Sequence, residues 1–159
     1  MVKFTRKQSK GMNDMIVENK KIEKSCSFYV SDFHLEMILM PYINKKIDNN
    51  EEVIITTEKD LRDTVEIVIS RININEENKE KILNLEWNKN KELIINKNSN
   101  IIVIGTEEYI ERVNNEIEKS DVSGVNIVNC YDFENVKDNI NNIINQHDQS
   151  LNTIGFKKF

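Results

Sequence analysis

Residues 26–46, CSFYVSDFHLEMILMPYINKK, decide how the rest of the chain is read. Residues 26–30 are aromatic and β-branched enough to read as a short buried strand. Ser31 or Asp32 then supplies a natural helix N-cap, because a short polar side chain there satisfies a free backbone N–H. Leu35, Ile38, Leu39, Tyr42 and Ile43 follow at helical spacing, and Met37 and Met40 widen the apolar face. A face that wide predicts a helix lying on a sheet. Pro41 removes one backbone donor, yet the apolar period continues through it.

The same grammar of strand, polar switch and amphipathic helix recurs downstream. VIITT at 53–57 is a continuous apolar run of the kind buried on both faces of a parallel sheet. Thr57 is placed to cap the next helix, with Glu58 and Asp60 near its N-terminus and Leu61, Val65, Val68, Ile69 and Ile72 in one stripe. A shorter helix is expected over about 76–85, followed by Trp87 and a short third strand at 93–95. IIVIG at 101–105 is the most strongly β-type run and predicts a central strand. Thr106 caps a helix carrying Tyr109, Ile110, Val113 and Ile117 on its inner face. A fifth strand at 125–130 leads into a final helix striped by Phe133, Val136, Ile140, Ile143 and Ile144, and 151–156 can add an edge strand.

Strands alternating with helices define the expected fold class: an α/β protein, a three-layer α/β/α sandwich with a mostly parallel five-stranded sheet of RecA/Rossmann-like type. A length of 159 residues suits one domain with a sizeable core, here expected at 22–159 behind a basic leader at 1–21. The charge is uneven. Residues 1–25 hold seven basic and three acidic side chains, a net of +4, which leaves −9 for the remainder of a chain totalling −5. Such a leader can touch nucleic acid or fold back on its own acidic domain, although only Phe4 offers an aromatic surface for stacking. No apolar run approaches the ~20 residues that span a bilayer, and the N-terminus lacks a signal-peptide core, so a cytoplasmic protein without membrane contact is expected.

Cys26 and Cys130 are too few for a disulfide framework and lack metal-ligand spacing, so both are read as small buried residues. With strands at 26–30 and 125–130 parallel, the two thiols are expected at opposite ends of the sheet, on the order of 13 Å apart at ~3.3 Å per residue.

In open α/β sheets ligands gather beyond the carboxyl ends of the strands. Those ends carry Tyr29, Ser31, Asp32 and His34; Thr56, Thr57 and Glu58; Gly105, Thr106 and Glu107; and Tyr131 and Asp132. All twelve are candidate ligand-binding residues on one rim. No phosphate loop or G-x-G-x-x-G occurs, so nucleotide hydrolysis by a standard phosphate loop is not expected. The rim acids suit a cation or a polar neutral ligand, although capping and first-turn acids account for most of them equally well. His34 lies two residues from Asp32 without an evident nucleophile, so no catalytic residue, metal or cofactor is assigned.

The order FYVSDFHLEMILMPYINKKIDNNEEVIITTE, ELIIN, VIGTEE, VNIVNCYDFENV and IINQHDQSL resembles the MEDS domain, named for methanogen and methylotroph sensory proteins. The matching positions are Phe28 and Tyr29, Pro41, Gly105 followed by Thr106, Cys130 to Asp132, and His147, and the likeness spans roughly 22–154. It departs in lacking the family's first-strand H-I-C and in having a shortened middle. The resemblance implies a RecA/KaiC-type fold without a working phosphate loop, and a non-catalytic sensory or regulatory role with a small-molecule ligand or a regulatory protein partner. The alternatives are a nucleic-acid-associated regulator using the leader and a divergent nucleotide-binding protein. A homo-oligomer is left open.

Overall fold

A computed structural model describes residues 21–89 and 93–159. The basic leader at 1–21, and any nucleic-acid contact made through it, lies outside the described residues except for Lys21. The chain order is β1 (Ile22–Tyr29), α1 (Asp32–Asp48), β2 (Val53–Thr57), α2 (Arg62–Ile69), α3 (Glu76–Leu83), β3 (Asn100–Ile104), α4 (Glu107–Lys119), β4 (Val125–Asp132), α5 (Phe133–Val136), α6 (Ile140–Asn145), β5 (Gln149–Asn152) and β6 (Gly155–Lys158).

One six-stranded sheet has the order β2-β3-β4-β1-β5-β6. Every pairing is parallel except that of β6 with β5. β3 is buried from end to end, as a strand covered on both faces must be. Alternation along the strands sends Ile102, Ile104, Val128 and Cys130 toward α1, α2 and α3. Ile101, Val103, Ile127 and Tyr131 point the other way, toward α4, α5 and α6. The result is a three-layer α/β sandwich. A fully buried Leu or Ile contributes about 1.5–3 kcal/mol relative to exposure. That outweighs helix propensity, so the two apolar clusters hold the layers together. Among the described residues no helix is long and apolar enough to cross a membrane.

Ser31 caps α1 by accepting from the His34 N–H, and α1 runs unbroken through Pro41, which faces solvent. Leu35, Ile38, Leu39, Met40, Tyr42 and Ile43 are buried as expected, but Met37 is largely exposed. Thr106 likewise caps α4.

Several expectations are corrected. The sheet has six strands and not five. Residues 93–95 make no ladder; Leu93 and Ile95 pack against the second cluster while Ile94 faces out. In place of a single edge strand, 149–158 folds into the β5–β6 hairpin, whose turn closes on Gly155 at φ +117°, a left-handed angle that favours glycine. The expected last helix is two, α5 and α6, because Asn139 leaves the helical path and donates its amide to Glu107. Thr57 does not cap α2, which starts after Leu61; its hydroxyl instead closes a turn with the backbone of Lys59.

The cysteines are also not at opposite ends of the sheet. Cys130 is opposite Ser27, so Cys26 is its neighbour one step along the adjacent strand. The expectation aligned the strands from their first apolar residues, whereas β1 begins four residues earlier, at Ile22. The two thiols still cannot meet, since Cys26 faces the α4–α6 layer and Cys130 the α1–α3 layer.

Candidate functional site

The helices that follow β1 and β4 lie on opposite faces of the sheet: α1 on one, α5 and α6 on the other. From β1 the chain moves toward β2, and from β4 it moves across β1 to β5. Neighbouring parallel strands with diverging connections form a switch point, the place where open α/β sheets leave a crevice. At this point Tyr29 ends β1 opposite Asp132 of β4, and Phe28 is opposite Tyr131.

The sheet divides the twelve rim residues into three groups. On the α1 side, Asp32 pairs with the Lys59 ammonium at 2.6 Å, and that ammonium stands 5.4 Å from the centre of the Tyr29 ring. Burial pushes the Tyr29 phenol up, and Cys130, Asp132, Asp32 and Glu58 add to the effect. His34 is spent locally: its Nδ1 accepts from the Val30 N–H at 3.0 Å.

Between β2 and β3 a second group locks the rim. The Glu58 carboxylate accepts from the Thr106 N–H at 2.9 Å, and Thr56 bonds to the Tyr109 hydroxyl at 2.7 Å. A Cβ on Gly105 would lie 2.6 Å from the Tyr109 ring and 2.8 Å from the Glu58 carboxylate, so close packing demands glycine there. Asp132 caps α5 by accepting from the Glu134 N–H.

The third group, Glu107 and Tyr131, opens into a groove of about 570 Å³ between α4 and α6, floored by β4. Its deepest polar residues are Asn114, Asn129 and His147. The two asparagines exchange amide hydrogen bonds at 2.9 and 3.0 Å, and Asn129 donates its second N–H to His147 Nε2 at 2.9 Å. His147 Nδ1 therefore carries the proton and donates to the Ile143 carbonyl at 2.6 Å. Burial holds the imidazole below its ordinary pKa, with the Lys24 charge acting in the same direction against the Ile143 bond and Asp148. The ring meets Tyr131 edge-on, and Tyr131 in turn stacks on Phe28. Tyr131 is 5% exposed, yet its hydroxyl has no hydrogen-bond partner among the described residues. Burial raises its pKa first, and Cys26, Glu107, Cys130 and Glu111 raise it further.

Asn114 and Asn129 were not foreseen as site residues, and His147 entered only as a motif match. The available signal was an asparagine at an inward position of β4, between Ile127 and Tyr131. Glu36 was also missed. It lies one turn after Asp32 inside the apolar arc of α1, fully buried, with one carboxylate oxygen bonded to Thr64 and the other without a partner. Burial lifts its pKa to about 7. Burial also pushes the Cys26 thiol up to about 11, which keeps it protonated. Among the described residues no group of three or more His, Cys, Asp or Glu is placed to hold a metal ion.

Searches against protein-family models, curated proteins and solved structures find no significant match to this chain.

Proposed function

We propose that this chain is a cytosolic sensory or regulatory domain that recognises a small polar molecule at the β1–β4 switch point, in the groove beside Tyr131. The observation that carries the reading is the Tyr131 side chain: a residue only 5% exposed, at a strand end, whose hydroxyl has no partner among the described residues and which lines a groove large enough for a small ligand. An unpaired polar group in that position gains most from a ligand that completes its hydrogen bonding.

Recognition without turnover is the better reading of the same geometry. Both His147 nitrogens are committed to protein partners, and Cys26 is held as the thiol by burial. These constraints favour a rigid polar wall over a proton-transfer or nucleophilic site. The MEDS-like order of motifs supports the same role, with the occupied domain passing its state to a regulatory protein partner.

A thermal-shift screen of small metabolites tests the proposal, run in parallel on the wild-type chain and Tyr131→Phe. Stabilisation of the wild type by a compound that leaves Tyr131→Phe unmoved supports it. A screen in which no compound distinguishes the two proteins sinks it.

A further inference from the structure

We infer that the groove takes a linear aliphatic polyamine. This rests on the ligand-site reading above and supplies the chemistry of its ligand.

The charge of the lining points first. α4 presents Glu107, Glu108, Glu111 and Glu118 along the groove, while among the described residues Lys24 is the one ammonium in its wall and is paired with Glu118 at 2.6 Å. His147 adds no positive charge, because its hydrogen bonds and burial keep it neutral. Four carboxylates against one ammonium repel a phosphate or carboxylate ligand and attract a cation.

The spacing then selects the kind of cation. Glu107 and Glu111 are one turn apart, so at 1.5 Å per residue their Cα atoms are separated by about 6 Å along the helix, and Glu118 follows about 10 Å further on. An extended chain advances about 1.2 Å per bond, so two ammonium groups joined by four methylenes are about 6 Å apart. A compact metal ion needs oxygens converging on one point; here the acids run in a line.

The second, independent observation is Tyr131. The residue is only 5% exposed, lines the groove together with Glu107 and Glu111, and its hydroxyl has no partner among the described residues. A hydroxyl with free lone pairs in the same groove as these carboxylates offers a further acceptor to an ammonium N–H bound there.

The experiment is calorimetric and thermal-shift titration of the full chain with spermidine and with 1,4-diaminobutane at low ionic strength. NaCl and MgCl2 at matched ionic strength are the references. At a hundredfold excess over Kd, spermidine should raise the Tm by roughly 5 °C. The double variant E107Q/E111Q, which keeps an acceptor for Asn139, should bind roughly tenfold or more weakly. Tyr131→Phe, which keeps the Phe28 stack, should weaken binding by roughly fivefold. Glu66→Gln on the opposite face of the molecule should bind as the wild type does. The polyamine assignment is overturned if spermidine does no more than matched MgCl2, or if E107Q/E111Q binds it unchanged. If spermidine fails but a neutral or anionic compound stabilises the wild type and not Tyr131→Phe, the cation chemistry falls and the ligand site stands. If no compound of any class does so, both fall together.

Discussion

The hydroxyl of Thr64 donates to one carboxylate oxygen of Glu36, and the other oxygen of that carboxylate is buried with no partner among the described residues. A charge left in that position is costly, and the group responds by holding its proton up to about pH 7. Burial is the main cause. Asp32 acts in the same direction, while the Thr64 bond and Lys59 oppose it.

The sign of the pH dependence follows. The folded protein binds the Glu36 proton more tightly than the unfolded chain, whose ordinary value is 4.5. Between pH 4.5 and about 7 the folded state carries the extra proton, so this group's contribution to stability declines as pH rises through that window. Glu36→Gln removes the titration while keeping an acceptor for Thr64. Denaturant titrations from pH 5 to pH 9 should give a flatter profile for the variant, and greater stability than wild type at pH 8 by about 1–3 kcal/mol. Parallel profiles for the two proteins would contradict the assignment.

The Asn114–Asn129–His147 chain should behave as a unit. Asn129→Leu strips partners from both neighbours and should destabilise by about 2–4 kcal/mol, since it orphans buried polar groups on either side. Asn114→Ala combined with Asn129→Ala should cost less than the sum of the single changes by about 1–2 kcal/mol. Strict additivity in that cycle would mean that the reciprocal amide pair contributes no coupling.

Gly105→Ala should lower stability by about 1–3 kcal/mol, because its new methyl meets the Tyr109 ring and the Glu58 carboxylate. Glu58 is the more easily displaced of the two, so Glu58→Ala in the same chain should recover part of the loss. Equal melting temperatures for Gly105→Ala and wild type would show that the rim gives way without resistance.

Cys26 and Cys130 should stay unbridged under oxidising conditions although they sit on neighbouring strands, because the sheet separates their side chains. A maleimide reagent should label neither thiol in the folded protein within minutes, and both after denaturation. A mass 2 Da lower after mild oxidation (~2 Da for two hydrogens lost on forming a bridge) would mean the strands can slip past each other.

The layered fold was legible because buried parallel strands announce themselves: IIVI at 101–104 has no polar face to hide, and Ser31, Thr106 and Asp132 are caps by residue type. The errors arose where pairing depends on partners distant in sequence. A three-residue apolar run such as 93–95 becomes a strand only if a neighbour offers a ladder, and here none does. β6, by contrast, is mostly exposed and bears Lys157 and Lys158, so it exists through its turn and its pairing with β5 rather than through apolar content. The strand-end residues were legible as a set, but their capping and locking bonds could not be told from free side chains without coordinates. The groove was hidden for another reason. Asparagine is so frequent in this chain that the two buried ones looked like their many exposed counterparts, and only the register of β4 against α4 separates them.

β1 is the first strand among the described residues, yet its two neighbours in the sheet, β4 and β5, come last among the parallel strands. Its longest ladder therefore waits for partners about a hundred residues away, a separation that raises contact order and slows folding. As the chain leaves the ribosome, β1 and the apolar face of α1 must remain unpaired until β4 has emerged. A nascent chain stopped at residue 120 should thus be cut rapidly by protease within 22–29, and one extended through residue 159 should be protected there. The strand at the switch point of the sheet would then be the last to gain its partners during synthesis.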